Sequence, residues 1–148
     1  MTYRGTGVAI ITPFTPEGAV DYDTLILLTD RLIEHGINYL VVLGTTAETP
    51  TLSSSEKVNV VRCVVDSCAG RVPIIVGAGG NDTLASIQAI EDLDKNGIDA
   101  ILSVVPYYNK PSQEGIYQHF SAIAAASELP LMLYNVPGRT GTNMTAET

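Results

Sequence analysis

Basic residues are scarce in this sequence: eight Lys+Arg stand against sixteen Asp+Glu, for a formal net charge of −8. A surface so poor in cations offers no patch to hold a phosphate backbone, which argues against nucleic acid as a partner. Long apolar runs are also missing. Stretches such as Val8 to Ile11 and Ile74 to Val76 fall far short of the roughly 20 residues that span a bilayer, so no membrane segment is expected. The amino terminus, Met1-Thr2-Tyr3-Arg4-Gly5, leads into a short apolar stretch closed by Pro13. It lacks the basic start and long hydrophobic core of a signal peptide, and the expected location is the cytoplasm. The two cysteines, Cys63 and Cys68, lie at i and i+5 on a predicted helix. That spacing suits neither a CxxC metal clip nor a disulfide framework, so they read as ordinary buried or half-buried thiols. Walker-type, GxGxxG and zinc-ligand patterns are absent.

What is present is a globular composition, 45% hydrophobic and 16% charged over 148 residues, the size of one ordinary domain. Five β-branched apolar runs recur: Gly7–Thr12, Tyr39–Leu43, Pro73–Gly77, Ala100–Val105 and Leu131–Tyr134. They are nearly continuous in hydrophobicity, the mark of parallel strands covered on both faces. One helix fits each gap. The first starts at Asp21 as N-cap, runs a stripe through Leu25, Leu28 and Leu32, and closes at Gly36. The second opens on the capping box Ser53-Ser54-Ser55-Glu56, carries Val58, Val61 and Val65 inward, and ends by Gly70. Asn81 or Asp82 caps the third, which is expected to reach Gly97; Pro111-Ser112 opens the fourth, with Ile116, Phe120 and Ile123 at helical spacing.

The junction Gly36-Ile37-Asn38-Tyr39-Leu40 is echoed by Gly97-Ile98-Asp99-Ala100-Ile101, a hint of internal duplication. The order β(αβ)₄ fits both a five-stranded doubly wound sheet and the front of a (βα)₈ barrel of about 250 residues. Thr145-Ala146-Glu147-Thr148 reads as the first turn of a further helix, which favours an α/β fold cut from a TIM (βα)₈ barrel. Residues 1–148 would then form an incomplete barrel domain carrying strands one to five.

Either architecture binds ligands at the carboxyl ends of its strands. The polar residues there are Gly44-Thr45-Thr46-Ala47-Glu48, Pro106-Tyr107-Tyr108-Asn109-Lys110-Pro111, and Tyr134-Asn135-Val136-Pro137-Gly138-Arg139-Thr140-Gly141. Paired threonine hydroxyls and backbone amides can grip a small carboxylate. A tyrosine can move a proton if hydrogen-bonded neighbours form a relay, and Thr45, Tyr108 and Tyr134 would supply one if their strand ends converge. Arg139 is shaped for bidentate contact with a second carboxylate. Each segment alone also has a plainer reading: Gly44-Thr45-Thr46 as a common turn, Tyr107 and Tyr108 as a packing pair, Arg139 as a solvated loop charge, and His35 and His119 as surface or packing residues on helices.

Together, the three segments resemble the signatures of the dihydrodipicolinate synthase and N-acetylneuraminate lyase superfamily. Pro106 to Gly115, Tyr134 to Gly141, the double threonine and Arg139 are closest to its dihydrodipicolinate synthase branch. The resemblance implies a (βα)₈ barrel that joins pyruvate to L-aspartate-4-semialdehyde through a lysine Schiff base, without metal or organic cofactor, in diaminopimelate and lysine biosynthesis. Carried over by position, Tyr134 would shuttle protons with Thr45 and Tyr108 completing its relay. Thr46 would hold the pyruvate carboxylate and Arg139 that of the semialdehyde. The resemblance also implies a homotetramer built as a dimer of dimers, with Tyr108 reaching into the neighbouring subunit's site.

Asn81 and Tyr107 match an effector site for lysine, whereas Lys57 and Ala85 stand where sensitive members tend to carry His and Glu. Ala47 stands where Gly is more frequent. The Schiff-base lysine is expected on a sixth strand, beyond residue 148, so this chain alone is expected to be inactive. The rival readings are a non-catalytic half-barrel scaffold and an aldolase or lyase acting on a 2-keto-3-deoxy sugar acid.

Overall fold

The computed structural model describes residues 3–148, which fall into two compact units. The first holds the chain up to Gly77 together with Lys95–Asp99, and the second holds Ala78–Asp94 and Ala100–Thr148. Five strands follow one another in the sheet order of the chain.

In the first unit, β1 (Gly7–Ala9), β2 (Tyr39–Val42) and β3 (Ile74–Gly77) pair in parallel, with Gly7 opposite Tyr39 and Leu40 opposite Ile74. β1 stops three residues earlier than the hydrophobic run. Ile10 still donates its amide to the Val41 carbonyl (3.0 Å), but Thr12 has turned away to give its hydroxyl to the carbonyl of Ala47 (2.8 Å). Helix α1 (Tyr22–Glu34) begins where the Asp21 carboxylate accepts from the Thr24 amide. Helix α2 (Ser54–Cys68) begins with the complete reciprocal box between Ser53 and Glu56. The inward stripe of α2 is Val60, Val61, Val64 and Cys68, while Val58, two positions out of phase, is 61% exposed. Asp99 belongs to this unit because its main chain and carboxylate bracket Ile74 at 2.8 and 2.9 Å.

In the second unit, β4 (Ala100–Val104) and β5 (Leu131–Tyr134) pair in parallel from Ile101 opposite Leu131 to Val104 opposite Tyr134. Helix α3 (Thr83–Glu91), capped by Asp82, packs against α4 (Gln113–Ala126), capped by Ser112. α3 ends six residues before Gly97. The Asp92-Leu93-Asp94-Lys95-Asn96 segment is rich in residues whose side chains compete for backbone hydrogen bonds, and Leu93 leaves the helix to pack on the Ile90, Ile101 and Ile123 core. A second core joins Val105, Ile116 and Phe120.

These clusters orient the strands. Ile101 and Val105 face helices, so alternation turns Leu102 and Val104 to the other side of β4. On β5, Leu131 packs on the helix-side clusters, which puts Tyr134 on the opposite face beside Val104. After Val136 the chain makes a single helical turn, α5 (Pro137–Thr140). Thr145–Thr148 forms a turn in place of the expected start of a helix, with the Thr148 amide on the Thr145 carbonyl at 3.2 Å.

Candidate active site

Beyond β2 the chain passes through Leu43 at φ 55° and enters a 3₁₀ turn, Thr45–Ala47, that ends in Glu48 at φ 54°. Left-handed backbone at Leu and Glu costs energy, and here it is held by specific contacts. The Thr49 hydroxyl lies 3.0 Å from the carbonyls of both Leu43 and Gly44, and Thr12 holds Ala47. Gly77 has no room for a side chain, since a Cβ there would sit 2.2 Å from the Leu43 carbonyl oxygen. Ala47 is buried at ordinary φ, so its methyl fits where glycine is more frequent in the resemblance. The result is a fixed turn with Thr45 and Thr46 exposed at its opening and two amides that have no partner inside the turn. Thr12 and Thr49, which hold this turn, went unrecognised in the sequence; a threonine just past a strand is their only signal.

Beyond β4, Tyr108 (φ 68°) and Lys110 (φ 48°) also take left-handed backbone. Tyr107 is 43% and Tyr108 87% exposed. The loop is tied to the segment after β3 by Asn109, which donates to the Asn81 carbonyl at 2.9 Å and faces the Asn81 amide at 3.4 Å. Tyr134 stands half-buried at the carboxyl end of β5. Arg139 is exposed on α5, and among the described residues no carboxylate pairs with it. Within the second unit the fold thus brings Tyr134 and Arg139 onto one strand end and its following turn. It brings Asn81 and the Tyr107–Tyr108 loop together through Asn109. Among the described residues no hydrogen bond links Tyr134 to Tyr108.

The lysines lie elsewhere: Lys57 in α2, Lys95 in the turn after α3 instead of the helix end expected, and Lys110 in the loop after β4. No described strand carries a lysine. Cys63 and Cys68 are free thiols, half-buried and buried as expected. Burial, with the nearby Asp66 and Asp23 carboxylates, raises the Cys63 thiol above its usual range, which leaves it a poor nucleophile.

Strands in chain order, helices between them and polar residues at the strand ends define an α/β protein carrying strands one to five of a (βα)₈ barrel, with a candidate site at the carboxyl ends. Residues 2–148 match the model of the Dihydrodipicolinate synthetase family, and the chain belongs to that family. The 4-hydroxy-tetrahydrodipicolinate synthase of Parabacteroides distasonis is 60% identical over 98% of this chain and 49% of its own length. That of Bacillus subtilis is 50% identical over 100% and 51% respectively. Among solved structures, the chloride-inhibited dihydrodipicolinate synthase of Acinetobacter baumannii, complexed with pyruvate, superposes with a TM-score of 0.95. It is 47% identical, over 99% of this chain and 50% of that one. The chain therefore spans about half the length of the relatives it matches.

Proposed function

We propose that this chain is the amino-terminal half of a cytoplasmic lyase that condenses pyruvate with L-aspartate-4-semialdehyde, giving 4-hydroxy-tetrahydrodipicolinate. The observation that carries this reading is the family match from residue 2 to 148. In the reaction, a lysine amine supplied from beyond residue 148 attacks the pyruvate ketone and water leaves. The resulting imine draws electrons from the methyl group, which loses a proton and attacks the aldehyde as an enamine; the semialdehyde's own amine then closes on the imine carbon and displaces the lysine amine, releasing the cyclic product. The imine is itself the electron sink, so the chemistry calls for no metal or organic cofactor.

The roles are those the family resemblance implies for these positions, and each is one that its side chain can perform. Thr46 binds the pyruvate carboxylate through hydroxyl and amide. Tyr134 carries protons to and from the ketone oxygen and the nascent alkoxide, with Thr45 and Tyr108 as its relay partners. Arg139, free of internal carboxylates among the described residues, receives the carboxylate of the semialdehyde. The exposure of Tyr108 suits a residue completed by a neighbouring subunit, in a tetramer assembled as a dimer of dimers. Asn81 and Tyr107 are the proposed effector contacts. The free thiols Cys63 and Cys68 suit a reducing compartment.

The test joins residues 1–148 to the carboxyl-terminal half of the Parabacteroides distasonis synthase. Pyruvate and borohydride should leave a stoichiometric adduct on a lysine of the appended half, and none on the chain alone. The joined protein should consume L-aspartate-4-semialdehyde. An adduct on Lys57, Lys95 or Lys110 would overturn the proposal, as would a folded fusion that neither traps pyruvate nor condenses it. Turnover of a 2-keto-3-deoxy sugar acid alone would reassign the substrate.

A further inference from the structure

Arg139 sits in a loop that leaves β5 at Asn135 and returns at Asn143. The neck of this loop is closed by side chains. The Asn135 amide nitrogen donates to the Asn143 side-chain oxygen (2.9 Å) and the Met144 carbonyl (3.1 Å), and its oxygen accepts the Met144 amide (3.1 Å). From the start of α4, Gln113 grips the adjoining groups: its nitrogen donates to the Asn143 carbonyl (2.8 Å), and its oxygen accepts from the Thr145 amide (3.0 Å) and the Thr148 hydroxyl (2.5 Å). Two carboxamides thereby satisfy consecutive main-chain groups from the Asn143 carbonyl to the Thr145 amide, as a neighbouring strand would.

Inside the neck, the Thr140 hydroxyl, 5% exposed, lies 2.8 Å from the Thr142 carbonyl. Met144 packs against the Val105, Ile116 and Phe120 core. The loop is pinned at its base, and Arg139, exposed, makes no ion pair among the described residues.

We propose that Asn135 and Gln113 are positioning residues: by clamping Asn143–Thr145 they fix the Arg139 turn relative to the Tyr134 strand end, and so set the affinity for the carboxylate-bearing aldehyde. The inference rests on the proposed role of Arg139. Asn135 follows Tyr134 directly, so one residue links the proton carrier to the neck of the anion-binding loop. Gln113 acts from another element and touches neither.

Two measurements test it. In the chain itself, Asn135→Ala and Gln113→Ala should each speed backbone hydrogen exchange at Met144 and Thr145 and through residues 137–142, leaving β4 unchanged. Unchanged exchange in that loop overturns the clamp whatever the enzymology. In the fusion described above, both variants should raise KM for L-aspartate-4-semialdehyde about tenfold or more, since an ångström of misplacement can cost up to a hundredfold. KM for pyruvate and the yield of its borohydride adduct should stay within about twofold, as expected when only binding of the second substrate is weakened. Equal loss toward both substrates would mean a general folding defect and overturn the positioning role. A wild-type fusion that fails to trap pyruvate would sink the proposed function, and the exchange result would still decide the clamp.

Discussion

Gly77 is the residue where packing dictates identity most directly, because a methyl there would press on the main chain of Leu43 at 2.2 Å and not on a movable side chain. Gly77→Ala should lower stability by about 1–3 kcal/mol, the range for overpacking. It should appear as a lower urea midpoint at unchanged slope; an unaltered midpoint would show that the close approach is absent in solution. The residues with candidate chemistry, Thr45, Thr46, Tyr134 and Arg139, were legible because polar residues after apolar runs stand out. Their supports were not. Thr12 and Thr49 act on carbonyls that only the folded turn brings near, and the left-handed Leu43 and Glu48 carry none of the glycine or asparagine that would announce such backbone.

At the scale of elements, the caps were the most readable feature: Asp21, Ser53 and Ser112 accept first-turn amides where the sequence opens those helices, and of the two candidates Asn81 and Asp82 it is Asp82 that does so. Ser53→Ala should therefore cost about 1 kcal/mol in thermal or chemical unfolding. The end of α3 was misread because Gly97 looks like a stop signal, while the Asp and Asn residues before it break the helix earlier. The α3–α4 pair carries a pH dependence that spacing could not reveal. His119 is 5% exposed, its Nδ1 lies 2.8 Å from the Thr83 hydroxyl, and its Nε2 is buried without a partner. Burial lowers its pKa, opposed by the Asp82 carboxylate.

With a folded pKa below the unfolded one, the unfolded chain takes the proton first as pH falls. The stabilisation is complete above the ordinary histidine pKa of about 6.5 and declines below it, down to the folded pKa. Urea midpoints should drop between neutral and mildly acidic pH, and His119→Gln should flatten that part of the profile. Identical profiles would mean that His119 protonates freely in the folded state.

At the scale of the molecule, alternating strands and helices gave the five strands and their order, but hydrophobic period alone fits a doubly wound sheet equally well. The barrel was chosen first on Thr145–Thr148 read as an opening helix, a segment that forms only a turn, and then on the resemblance carried by residue identities at three strand ends, since strand curvature leaves no periodic trace in sequence. The same fold exposes a consequence at β5, whose one strand neighbour among the described residues is β4. Beside that edge lies a cleft of about 320 Å³ lined by Tyr117, Phe120, Ala124, Leu131, Leu133 and Met144. Leu133 is 44% and Tyr117 51% exposed. An unpaired strand edge next to an apolar cleft is a template for another chain. The isolated chain should accordingly self-associate as concentration rises from micromolar toward millimolar in sedimentation experiments. Leu133→Glu, which places a charge at the cleft, should shift it toward monomer. The fusion bearing a second half-barrel should bury the same surface and form only a defined oligomer. A wild-type chain that stays monomeric throughout that range would show that the β5 edge is protected, and the cleft would lose its meaning as a surface awaiting the rest of the barrel.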